Sequence, residues 1–93
     1  MEKLSDQAID EMLKDLKGWE LKNNGIEKSF VFKDFKEAFA AMTHIALECE
    51  VNNHHPEWDN VYNRLHIRFS THDAGGLTEM DFKIAAAVDS IIS

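Results

Sequence analysis

Apolar residues return along this chain with two different periods, and the switches between those periods predict its elements. Ile9, Met12, Leu13 and Leu16 recur at the spacing of one helix face. Ser5 suits the N-cap, Leu4 and Ile9 are placed as a hydrophobic staple around it, and Gly18 supplies the stop. "WELK" and "IEKSFVF" then flank Asn23-Asn24-Gly25, residues that tolerate positive φ, which predicts a β-hairpin. A second helix is predicted from Asp34, with Glu37 as the acidic member of a capping box. Phe35, Ala38, Phe39, Met42, Ile45, Ala46 and Cys49 form its main apolar stripe. Ala40, Leu47 and Val51, with His44 among them, form a weaker stripe on the far side. "WDNVY" and "LHIRFST" predict a second hairpin turning near Asn63-Arg64. Leu65, Ile67 and Phe69 alternate there with His66, Arg68 and Ser70, the period of a strand with one buried face. Thr78 and Asp81 form a Thr-x-x-acid box at the head of a third helix, with Leu77 and Phe82 as its staple. Met80, Ile84, Val88 and Ile91 share that helix's apolar face, widened by Ala85 and Ile92.

The order α-β-β-α-β-β-α predicts an α+β fold, a single domain over residues 1–93. Two hairpins give a four-stranded antiparallel sheet, and three one-sided helices pack on one face of it. The other face must meet solvent or another subunit. A helix covering a sheet needs only one apolar stripe, so the second stripe of helix two is expected to meet another helix in an oligomer. The alternative is simple exposure of scattered small residues, which protein surfaces tolerate. Self-association would also enlarge the modest core that a 93-residue chain can bury.

Charge narrows the classes of partner. With 17 acidic against 10 basic residues, the net charge of −7 argues against general nucleic-acid binding, which needs concentrated Lys and Arg. No apolar run approaches the roughly 20 residues of a spanning helix, and "MEKLSDQAID" lacks the regions of a signal peptide, so no membrane contact is expected. Cys49, the single cysteine, cannot form an internal disulfide and suits a reducing compartment. The expectation is a soluble, cytoplasmic domain.

The candidate chemistry lies in "EVNNHHPEWDN", where His54 and His55 precede Pro56, the one proline. His66 falls mid-strand on the polar face and His44 on the outer side of helix two, where surface or interface roles suffice. His54 and His55 instead follow the end of helix two, and His72 follows a strand end before a glycine turn. Such junctions can meet at the rim of a sheet, where function concentrates on loops held by a rigid scaffold. If they meet, two chemistries compete. Zinc would want a further ligand such as Glu50 or Cys49. Cys49, however, falls in a core stripe, and adjacent histidines diverge. Acid/base work asks less, since an imidazole titrating near about pH 6.5 can give or take a proton. Glu50 could orient one ring, and Trp58 offers a flat surface for a planar heterocycle, or else packs on a strand face. There is no serine in a nucleophile elbow, and "DAGGLT" has neither the glycine pattern nor the lysine of a phosphate loop.

Glu50, His54, His55, Pro56, Tyr62, His72 and Asp81 complete the pattern E-x3-H-H-P-x5-Y-x9-H-x8-D, and "HHPEW", "NVYN", "STH" and "GLT" surround it. In these motifs the chain closely resembles the pterin-4a-carbinolamine dehydratases. The resemblance implies dehydration of a 4a-hydroxytetrahydropterin, left by a pterin-dependent aromatic amino-acid hydroxylase, to the quinonoid dihydropterin. It implies no metal and no organic cofactor. By the same carry-over, His54 and His72 would protonate the departing hydroxyl and His55 would mainly position the pterin. Asn53, Ser70, Thr71 and Asp73 would line the pocket, with Glu50 supporting it, while Asp81 at N3 reads as a helix cap. Asn53 stands where relatives are often acidic, and Met80 where animal members can carry a basic residue. The family assembles as homodimers or homotetramers through sheet edges and the second helix. Some animal members also bind the dimerisation segment of a homeodomain transcription factor through that helix, so a coactivator-like binding module is the alternative reading.

Overall fold

Leu65, Ile67 and Phe69 put their side chains on one face of the last strand, and that choice orients everything else. The computed structural model describes residues 2–93. Its elements are α1 (Asp6–Leu13), β1 (Glu20–Lys22), β2 (Gly25–Val31), α2 (Phe35–Val51), β3 (Glu57–Val61), β4 (Arg64–Phe69) and α3 (Glu79–Ile92). A short 3-10 turn, His72–Ala74, lies between β4 and α3. The strands form one antiparallel sheet in the order β1-β2-β4-β3. Ile26 sits opposite Phe69, Phe30 opposite Leu65, and Trp58 opposite Ile67, so these side chains share the covered face. Ile26, Leu65, Ile67 and Phe69 are fully buried there against Ile9 of α1, Ile45 and Cys49 of α2, and Ile84 and Val88 of α3. The predicted order and layering are therefore those of the molecule. No helix among the described residues is long and apolar enough to cross a membrane.

Lys28 lies on the covered face, and its charge is held at the margin. Its Nζ bonds Lys17 O at 2.9 Å and Asp89 Oδ1 at 3.0 Å, and lies 4.9 Å from the centre of the Phe30 ring. Asp89 Oδ2 in turn accepts from Trp19 Nε1 at 3.1 Å. The stem packs while the ammonium keeps polar partners, which is how a lysine borders a core without an orphaned charge.

Three local details differ from the expectation. First, α1 ends at Leu13. The N–H groups of Lys14, Asp15 and Leu16 reach back three residues, at 3.3, 3.2 and 3.1 Å, and Gly18 turns the chain with φ of 88°. Leu16 is still buried, carried inward by this tighter turn. Second, the β3–β4 turn is centred on Tyr62-Asn63, one residue earlier than expected, with Tyr62 at φ 51°. Asn amides hold it: Asn63 Nδ2 donates to Phe32 O at 2.9 Å, and Asn60 Nδ2 to Tyr62 O and Arg64 O. Third, the core stripe of α2 is narrower than its apolar residues suggest. Ala38, Ile45 and Cys49 are buried with Met42 against them, whereas Phe35, Phe39 and Ala46 are exposed. At 100° per residue the buried set spans a narrow arc, and Phe39 and Ala46 lie well off its centre. The rings of Phe35 and Phe39 pack on each other outside, 5.6 Å between centres.

In the first hairpin Asn23 and Asn24, at φ 50° and 63°, take the left-handed turn positions, and Gly25 serves another purpose. A Cβ at Gly25 would come within 2.4–2.6 Å of the Arg68 guanidinium. That group donates to Lys22 O at 2.5 Å and Asn23 O at 2.6 Å, pinning the turn from β4. Gly25→Ala should therefore displace Arg68 and lower stability by roughly 1–3 kcal/mol, the range for lost charge-assisted bonds. A urea titration reads this directly, and an unchanged midpoint would show that the guanidinium moves without loss. The uncovered face of the sheet is polar where the two central strands meet. His66 Nδ1 lies 2.8 Å from Ser29 Oγ, and Glu27 bridges His66 Nε2 at 3.3 Å and Arg68 at 3.2 Å.

Candidate active site

The end of α2 builds one wall of the site through its backbone. Asn52 is the C-cap and Asn53 follows at φ 50°. The N–H of Asn53 bonds Glu50 O at 3.1 Å and that of His54 bonds Cys49 O at 3.0 Å. These two bonds are those of a Schellman motif, with asparagine in the left-handed position that glycine more often fills. Pro56 then prevents the helix from continuing. The chain thus leaves α2 at a fixed angle, with both histidines just beyond the cap. Cys49, one turn inside, is a packing residue, and burial together with the nearby Glu48 pushes its thiol from 9.0 up to about 11.

The head of α3 builds the opposing support. Thr78 is the N-cap and Asp81 occupies N3, and the two form a reciprocal capping box. Asp81 is completely buried, so each of its lone pairs matters. Oδ2 accepts from the Thr78 N–H at 2.9 Å and from the Thr71 hydroxyl at 2.8 Å. Oδ1 lies 2.5 Å from His54 Nε2. Thr71 Oγ1 is also 3.0 Å from Thr78 Oγ1, which closes the network. The His54 ring stacks on Phe69 with centres 6.1 Å apart and planes 16° apart. Its side chain is only 13% exposed. The ring is thus fixed by three elements at once: the cap of α2, the end of β4 and the first turn of α3.

The other two histidines are freer. His55 Nε2 lies 2.8 Å from Glu50 Oε1, with the His55 side chain 56% exposed. His72 lies on the 3-10 turn with its side chain 83% exposed, and its Nε2 is 3.5 Å from Glu57 Oε1. The turn itself is closed by paired backbone bonds between Thr71 and Gly76, at 3.1 and 3.3 Å. The junctions at 54–57 and 71–73, distant in sequence, therefore meet through His72–Glu57 and through His54–Asp81–Thr71.

Between them lies a cleft of about 320 Å³ lined by Asn52, Asn53, His54, Thr71, Asp73, Ala74 and Met80. Four of the expected site residues line it: Asn53, His54, Thr71 and Asp73. Glu50 stands behind His55, while His55 and His72 belong to the flanking segments. Ser70 faces the first hairpin instead, its hydroxyl bonded to Asn24 O at 3.1 Å. Trp58 lies on the covered side of β3, partly buried against the core. Glu57, Asn52 and Ala74 carry no signal of the site in the sequence. Met80, singled out there as a departure from animal members, lines the cleft, and Asp81, matched by the motif, reads in the sequence as a helix cap. The N3 position did predict the cap. The second carboxylate oxygen, left over for His54, had no local signal.

The family model for pterin 4 alpha carbinolamine dehydratase matches residues 2–91. This chain belongs to that family. A protein of Christiangramia forsetii assigned as a pterin-4-alpha-carbinolamine dehydratase is 51% identical over 92 residues, 99% of this chain and 95% of its own length. A Sinorhizobium fredii protein assigned likewise is 54% identical over 90 residues, 95% of this chain and 86% of its own. The crystal structure of a transcriptional coactivator/pterin dehydratase from Brucella melitensis superposes with a TM-score of 0.95 at 40% identity, covering 98% of this chain and 99% of that one. A pterin dehydratase-like protein described as a RuBisCO assembly factor of the alpha-carboxysome shares the fold at a TM-score of 0.67 and 21% identity, over 81% of this chain and 87% of its own. The pterin-4a-carbinolamine dehydratases are hydro-lyases, and a pterin substrate is consistent with this membership.

Proposed function

We propose that this protein removes water from a 4a-hydroxytetrahydropterin by histidine acid/base catalysis, returning the pterin of an aromatic amino-acid hydroxylase for reduction. The observation that carries this reading is the locked His54 ring at the wall of the cleft. An Nε2–H donated to Asp81 leaves Nδ1 as the nitrogen that exchanges a proton. In the reaction the 4a-hydroxyl must gain a proton as the C4a–O bond breaks, and N5 must lose one as the C4a=N5 bond forms. The held ring suits the transfer that must be aimed at the departing oxygen, because positioning lowers the barrier most where geometry is strict. The exposed His72 suits the N5 proton, which solvent can carry onward. His55, backed by Glu50, positions the substrate edge from just beyond the α2 cap. Asn53, Thr71 and Asp73 supply polar walls. No metal or organic cofactor enters these steps.

The reading is tested by generating the 4a-hydroxy compound in a stopped-flow instrument and following its dehydration. The protein should accelerate the loss of water well above buffer alone, and no acceleration would overturn the proposal.

We also propose self-association through the outer side of α2, where Phe39, Leu47 and Val51 are exposed beside Phe35. A row of this kind is a candidate contact surface. Sedimentation should show a dimer or tetramer that Leu47→Glu weakens; an unchanged monomer would make the row ordinary surface. The same row would serve a coactivator-like role, the reading favoured by the double description of the Brucella melitensis relative. A multimer unaffected by Leu47→Glu would leave the row open to that use.

A further inference from the structure

Met80 separates two hollows. On one side is the cleft of about 320 Å³ beside His54. On the other, a groove of about 600 Å³ between α1 and α3 shares Met80 as a wall. Met12, Leu16 and Phe82 form the apolar part of this groove, and Asp15, Glu79 and Lys83 its charged part. Ligand sites span roughly 300–1,000 Å³, so the cleft alone sits at the floor of that range. It has room for a bicyclic head and little beyond. Any sizeable substituent must leave it, either into solvent through the open mouth or across Met80, with 52–54 and 71–74 forming the other walls. The side toward Met80 borders further apolar space. Methionine, unbranched and polarisable, makes that wall adaptable, and Met12 repeats the property inside the groove.

We infer that a substituent on the substrate crosses Met80 and lies in the α1–α3 groove. This deepens the dehydratase reading and rests on it. It makes the favoured substrate class a reduced pterin whose C6 substituent is extended, uncharged and apolar or aromatic in its inner part. Two carboxylates against one ammonium in the groove disfavour an anionic tail.

The test compares the 4a-hydroxy forms of 6-methyl- and 6-(2-phenylethyl)tetrahydropterin. Burying the larger group should raise kcat/KM about tenfold over the methyl compound, the lower part of what a hydrophobic pocket yields per added group. Ala86→Trp fills the groove from the exposed side of α3 and should abolish that preference. Because that variant could perturb folding, the wild-type protein is also labelled with ¹³C-methyl methionine and titrated with the oxidised, unreactive 6-(2-phenylethyl)pterin and 6-methylpterin. Met80 should shift with both ligands, Met12 with the phenylethyl compound alone, and Met42, packed on the core, with neither. A wild-type ratio near one, or a Met12 signal unmoved at saturation, overturns the inference. Shifts at Met80 and Met12 without any acceleration of dehydration would support the groove as a ligand site and overturn the dehydratase reading instead.

Discussion

Replacing His54 by alanine is expected to slow carbinolamine dehydration by at least about 10²-fold, the low end for loss of a positioned acid or base. The imidazole would leave a gap beside Phe69, but the side chain lies at the edge of the core and the chain should still unfold cooperatively. The sharper comparison is Asp81→Asn. An asparagine can still accept from the Thr78 N–H and the Thr71 hydroxyl, so the cap survives. Its amide nitrogen would then face His54 Nε2 and favour the opposite tautomer, with Nε2 as acceptor and the proton on Nδ1. In triads of the Ser-His-Asp type this exchange of carboxylate for amide costs about 10⁴-fold through the wrong tautomer. Asp81→Asn should thus lose about as much rate as His54→Ala while losing far less stability. His72→Ala should fall below wild type as well, yet by less where a buffer base can take the N5 proton. Its deficit should therefore shrink as buffer concentration rises, whereas that of His54→Ala should not. Stopped-flow rates at several buffer concentrations read both effects. A full-rate His54→Ala protein would remove His54 from the mechanism.

Asp81→Ala is expected to be the most destabilising single change in the site, by roughly 3–5 kcal/mol, the range for removing one member of a buried hydrogen-bonded pair. The carboxylate is completely buried, and three donors converge on it: the Thr78 N–H, the Thr71 hydroxyl and His54 Nε2. Deleting it leaves those donors facing a cavity and removes half of the α3 capping box. Small domains hold about 5–15 kcal/mol in all, so the variant should sit near the edge of folding. The expected signature in a urea titration is a large fall in midpoint with little change in slope. A loss below about 1 kcal/mol, inside the range of surface substitutions, would show that Thr71 and Thr78 repair the gap between themselves.

Most of the architecture was legible because it rests on patterns local to a few residues. Period-two alternation identified β4, and the Ser5, Asp34 and Thr78 caps marked three helix starts. What escaped was set by contacts between distant elements. Phe35 and Phe39 are as apolar as Ile45, and only the arc of α2 that meets the sheet and α3 decides which of them is buried. The role of Gly25 depends on Arg68, 43 positions away, passing over it. The site divides the same way. The histidine junctions could be foreseen as meeting, and Asn53 fits a cap position that its residue type advertises. The link from His54 to Asp81 crosses 27 positions and uses the carboxylate oxygen that the helix cap does not.

That shared carboxylate has a consequence for how the protein ages under heat. The first turn of α3 and the orientation of the His54 ring open and close as one unit, since neither can loosen while Asp81 keeps both sets of partners. Fraying of that turn, a local event well short of global melting, would switch the ring off while most of the secondary structure persisted. Turnover then becomes a thermometer for one helix end, and it should fade on warming before circular dichroism records any loss of helix.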